Sequence, residues 1–120
     1  MITHHSISQT IINYDALNEL TDGDEAIQSL IFEGFLKDSQ TRMDELELSV
    51  SCVDFPQVKL LAHALKGVAR TLCAERLAGQ YLSLEEAALA NDIAKVKETF
   101  AHVRTEYLQL IRLLNNESEY

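Results

Sequence analysis

The chain predicts an all-α fold, an antiparallel up-down-up-down four-helix bundle with a short additional N-terminal helix. Three observations carry this. One Pro and four Gly in 120 residues are poor material for a turn-rich β protein. Good helix formers, Ala, Leu and Glu among them, dominate the composition. Apolar residues recur at helical spacing in four long segments joined by short breaks, and short connections make neighbouring helices antiparallel.

Residues 1–12 show no clear period and read as a flexible lead-in, with His4 and His5 as solvated side chains of a tail. Tyr14 to Leu20 is a short helix with Asn13 as its N-cap. Thr21-Asp22-Gly23-Asp24 breaks it, Gly23 being suited to a left-handed C′ position and Asp24 to capping the next helix. That second helix runs from about Asp24 to Val50. Phe32, Leu36, Met43, Leu46 and Val50 form its stripe, with Ile27, Ile31 and Phe35 alongside. At ~1.5 Å per residue it would be about 40 Å long, enough to span the bundle. Pro56, in a first-turn position after the Ser51–Phe55 turn, opens a third helix that reaches about Leu72. A fourth helix begins near Glu75 with Leu77, Tyr81, Leu84 and Ala88 on one face. Asn91-Asp92 ends it, and Asp92 caps a fifth carrying Ile93, Val96, Phe100, Val103, Tyr107, Ile111 and Leu114. The bundle proper is expected over residues 13–115, with 116–120 as a frayed polar tail.

A formal net charge of −9 argues against general nucleic-acid binding. No apolar run approaches the length of a membrane span. The polar N-terminus lacks the pattern of a signal peptide. Cys52 and Cys73 form no CxxC pair and read as reduced thiols of a cytoplasmic protein.

The third helix departs from the rest. On a helical wheel, Val58, Leu61, Leu65, Val68, Ala69 and Leu72 share one buried stripe, while His63 lies nearly opposite. Lys59, Lys66, Gly67 and Arg70 are on its side. Between Phe55 and Ala74 there are three cations and no carboxylate, where a 20-residue window of this composition would hold about three acids. An exposed neutral imidazole, with an ordinary pKa of about 6.5, is a good nucleophile near neutral pH. In-line attack on a phosphoryl group needs that open approach, and nearby cations offset the charge gained. Lys66, one turn along, can reach a phosphoryl oxygen. Gly67 costs about 1 kcal/mol relative to Ala inside a helix, which makes sense if a partner or the phosphoryl group must come close to the backbone. The local sequence holds no carboxylate to act as base or to hold the ring, no Gly-rich nucleotide loop, and no second His at i+4 for a zinc pair. Such a nucleophile needs its partner to bring the metal ion and the positioning groups. His102, between Ala101 and Val103, is expected to be structural or solvated.

The stretch His63-Ala64-Leu65-Lys66-Gly67, followed by Ala69, Leu72, Ala74 and Leu77, resembles the H-x-L-K-G signature of the histidine-phosphotransfer (HPt) domain family of multistep phosphorelays. Gly23-Asp24-Glu25, the segment around Phe32 to Leu36 and the Leu84-Glu85 pair are further points of likeness. The resemblance spans nearly the whole chain. It implies that His63 is phosphorylated on Nε2, that Lys66 supports the phosphoryl group, and that Gly67 gives a partner access. It implies response-regulator receiver domains as partners, with a phosphorylatable Asp and Mg²⁺ supplied by the receiver, and a hybrid sensor histidine kinase upstream. The domain itself would be a monomeric phosphocarrier, not a kinase, binding no cofactor and inserting in no membrane. Two positions depart from the family: Cys73 stands where Gly is usual, and Val68 where Ser or Ala is common.

Leu60 and Ala64 flank the outward face and are candidates for docking a receiver, together with Lys59 and Arg70. Two other readings compete with the phosphocarrier: a helical adaptor that binds or sequesters a receiver without accepting phosphate, and a bundle unrelated to phosphorelays. His63 argues against the first, since a pure binder has no need of it.

Overall fold

The computed structural model describes residues 11–118, and among these it contains five helices and no strand: α1 (Tyr14–Thr21), α2 (Glu25–Ser51), α3 (Phe55–Thr71), α4 (Glu75–Leu89) and α5 (Ile93–Ser118). Helices α2 to α5 alternate up and down, each packed on the next, and α2 packs on α5 to close the bundle. The long dimension of 41 Å is that of α2 at about 1.5 Å per residue.

The caps expected at Asn13, Asp24 and Asp92 form, and Asp54 adds a fourth at the start of α3: Asn13 accepts from the Ala16 amide, Asp24 from Ala26 and Ile27, Asp54 from Gln57 and Asp92 from Lys95. Each satisfies amide donors that a helix start leaves without intrahelical partners. Gly23 takes the left-handed conformation at φ 69°, and Asp22 before it does so at 53°. At the end of α3 the same conformation falls on Cys73, at φ 58°, while Ala74 donates back to the Ala69 carbonyl at 2.9 Å. A Gly would sit there without strain, which is the physical content of the family's usual residue.

The core contains Phe35, Met43, Leu46, Val58, Leu61, Leu65, Tyr81, Leu84, Val103, Tyr107 and Leu114. Its phenols are satisfied: Tyr81 donates to the Met43 sulfur at 3.2 Å, and Tyr107 pairs with the Ser39 hydroxyl at 2.9 Å. Burial pushes both phenol pKa values up.

Several edges differ from the sequence reading. The lead-in is not uniformly loose, because Ile12 is fully buried and the Asn13 amide donates to the Cys73 carbonyl at 2.9 Å. This ties α1 to the turn between α3 and α4. His4 and His5 lie outside the described residues. Helix α5 continues to Ser118, through the first part of the expected frayed tail. Ile27 and Ile93, assigned to core stripes, are exposed, because both lie in the first turn of a helix, beyond the reach of its neighbours. Val68 is half-buried on the wall of a groove of about 300 Å³ between α2 and α3, which also includes Leu30, Gly34 and Leu72.

Candidate functional site

Helix α3 presents His63 outward: its side chain is 66% exposed. The stripe of Val58, Leu61, Leu65, Ala69 and Leu72 fixes that orientation by burying the opposite side of the helix. Lys59, Leu60, Ala64, Gly67 and Arg70 are all exposed on or beside the same face. A Cβ built at Gly67 meets nothing within 4 Å. Nothing inside the molecule therefore requires glycine there, and the bare backbone is available from outside.

Two sequence expectations need correction. The surface around His63 is not free of acid. Glu85, one helix over on α4, accepts from His63 Nδ1 at 3.0 Å through one oxygen and from Lys66 Nζ at 2.8 Å through the other. Nor is Lys66 an outward cation waiting for a phosphoryl oxygen. Only 9% of it is exposed, and its ammonium is already matched by Glu85. Side chains lean toward the N-terminus of their helix. Lys66 thus reaches back beneath His63 toward α4, and the two side chains converge on one carboxylate.

The Glu85 carboxyl feels opposing influences. Burial raises its pKa; the hydrogen bonds from Lys66 and His63 and their positive charges more than offset this, and the net result lies below the ordinary carboxyl value. At neutral pH the group is therefore an ionised acceptor with no proton to give. The Nδ1 atom of His63 must be the donor. In the neutral ring this leaves the lone pair on Nε2, which has no hydrogen-bond partner among the described residues. The carboxylate does not sequester the ring; it selects the tautomer and holds the orientation.

Lys59 and Arg70 make no ion pair among the described residues and supply the accessible positive charge of the face. His102 is exposed on α5. No group of three or more His, Cys, Asp or Glu among the described residues could hold a metal ion, and no helix there is long and apolar enough to cross a membrane.

Glu85 is the residue that reasoning along one helix misses, because it lies 22 positions away from His63. A signal existed. Folding the α3–α4 hairpin about the turn near Cys73 brings residues of the mid-80s opposite His63, and Glu85 follows the core residue Leu84 at the edge of the buried stripe.

The model of the Hpt domain family matches residues 31–114. The crystal structure of histidine-containing phosphotransfer protein B (HptB) from Pseudomonas aeruginosa PAO1 is similar in fold. The TM-score is 0.83 and the identity 22%, over 92% of this chain and 96% of that one. No curated protein sequence matches the chain.

Proposed function

The chain belongs to the Hpt domain family, the histidine-phosphotransfer domains of phosphorelays, and we propose that His63 is its phosphoacceptor, taking a phosphoryl group from the aspartate of one receiver domain and passing it to another. The observation that carries this reading is the pairing of an exposed ring with Glu85 through Nδ1, which leaves Nε2 as the nucleophile.

The step balances without a proton leaving the site. The Nε2 lone pair attacks phosphorus in line; the bond from phosphorus to the receiver's aspartyl oxygen breaks, and the carboxylate departs with its electron pair. The ring keeps its Nδ1 proton and gains positive character, which the ionised Glu85 offsets at hydrogen-bond distance. Return of the phosphoryl group to a second receiver is the same path reversed. Lys66 acts through Glu85: it keeps the carboxylate ionised and fixed. Gly67 leaves room for the receiver, and Lys59 and Arg70 face its acidic pocket. Mg²⁺ belongs to the receiver in this scheme, and the chain is a carrier without kinase activity of its own. Its partners are receiver domains fed by a hybrid sensor kinase, it works as a monomer, and its compartment is the cytoplasm.

Incubation with a phosphorylated receiver domain tests the proposal. The chain should acquire an acid-labile label, and His63→Gln should lose it completely while keeping its helical circular dichroism. A label that survives in that variant removes His63 as the acceptor.

A further inference from the structure

One proton decides whether a phosphohistidine gives up its phosphoryl group. When the P–N bond breaks, Nε2 keeps the bonding electron pair. With a proton on Nδ1 the ring departs as neutral imidazole, a good leaving group. With Nδ1 bare it must depart as an anion, and the bond holds. The proton that Glu85 fixes before transfer is therefore the proton that governs what happens afterwards.

In the free chain the ionised Glu85 accepts from His63 Nδ1 at 3.0 Å. A group added at Nε2 need not disturb that bond, since the side chain is 66% exposed and Nε2 is the unbonded nitrogen. While it holds its proton the phosphorylated ring is cationic, and an opposite charge at hydrogen-bond distance favours the charged form. The other groups beside the ring leave this influence standing. Helix α3 brings Lys66, whose ammonium is matched by the second Glu85 oxygen, and the exposed Lys59 and Arg70. Helix α4 brings Glu85 itself. Among the described residues no hydrogen bond or ion pair reaches the ring from α2 or α5.

We propose that Glu85 keeps the Nδ1 proton on the phosphorylated ring and so holds the phosphohistidine in its labile form at neutral and mildly alkaline pH. His63 is then a point of transit and not a store. The inference rests on the phosphotransfer reading of His63. In onward transfer an aspartyl oxygen bonds to phosphorus, the P–N bond breaks, and the ring leaves neutral with its Nδ1 proton in place. Water follows the same path when no receiver is present. Its oxygen bonds to phosphorus, one of its protons passes to solvent, and inorganic phosphate departs. Loss of phosphate to water is thus a measure of readiness to transfer.

The test follows loss of label from the isolated phosphorylated chain, freed of receiver, between about pH 6 and about pH 9. Wild type, Glu85→Gln and Arg76→Met are compared. The glutamine oxygen can still accept from Nδ1 but carries no charge. At the alkaline end Glu85→Gln should lose its label about tenfold more slowly than wild type, and the two rates should converge as pH falls. Arg76→Met, outside the site, should match wild type. A second arm needs no substitution: unfolding the labelled wild-type chain in urea separates Glu85 from the ring and should lengthen the lifetime at the alkaline end. Equal lifetimes for wild type and Glu85→Gln, or for folded and unfolded chain, overturn the inference. So does an equal lengthening in Arg76→Met, which would trace the effect to weakened packing. Failure of the functional reading looks different: no phosphorylated receiver labels even the wild-type chain.

Discussion

Two glutamates lie mostly buried between helices, and they do different work. Glu106 on α5 accepts from the Arg76 guanidinium of α4, and Arg76 is itself half in water. One acid meets one base, and the pair staples two helices. Glu85 on α4 also bridges to a neighbour, but it is offered more donors than its charge requires. Lys66 alone neutralises it, and its second oxygen remains for the exposed ring of His63. A staple is satisfied within the molecule, whereas Glu85 spends half of its accepting capacity on a group that faces outward. That asymmetry marks a site more clearly than exposure of a histidine does.

The largest expected effect comes from breaking the hub. Glu85→Ala leaves the Lys66 ammonium buried without a partner and should lower stability by about 1–3 kcal/mol, read from urea denaturation. The same variant frees the ring to change tautomer and orientation, and labelling by a phosphorylated receiver should slow by roughly tenfold. Lys66→Met sharpens the assignment. If the lysine acts through Glu85, transfer slows and the Glu85 carboxyl titrates at higher pH, as followed by NMR of the side-chain carboxyl. Slower transfer with no movement of Glu85 would place the ammonium on the phosphoryl group instead.

Next in size is a pH dependence. The folded-state pKa of Glu85 is lowered, so the unfolded chain binds its proton more readily. Its stabilising contribution is present above the ordinary carboxyl range and is lost as pH falls through that range toward the lowered value. Urea midpoints measured from pH 7 down to pH 3 should fall less steeply for Glu85→Gln than for the wild-type chain. The smallest effect on transfer belongs to the staple. Arg76→Met leaves the mostly buried Glu106 carboxylate without its partner and should cost about 1–3 kcal/mol of stability. It should leave phosphoryl transfer unchanged; a loss of transfer without a loss of stability would collapse the distinction between the two glutamates.

Much of this was legible in the chain. Periodicity placed all five helices, and Asn13, Asp24 and Asp92 marked their starts because a capping side chain acts over two or three residues. The outward direction of His63 followed from the apolar stripe opposite it. What periodicity could not supply was anything crossing between helices. A helical wheel set Lys66 and His63 on one face and made both solvent-facing, yet burial of Lys66 is decided by α4, which the wheel does not contain. Ile12 was assigned to a loose tail because a single anchoring residue has no period, although the fold buries it completely. Cys73 was legible as a departure; its cause, a backbone in the left-handed region, became visible only with the turn in three dimensions.

The central claim is that Glu85 holds the proton of His63 on Nδ1 and leaves Nε2 bare. Long-range proton–nitrogen NMR of the histidine rings in the free chain at neutral pH reads this directly. The account predicts that the His63 ring carries its proton on Nδ1, with Nε2 unprotonated, and that this preference disappears in Glu85→Ala. A His63 ring protonated on Nε2 with Nδ1 bare would contradict it.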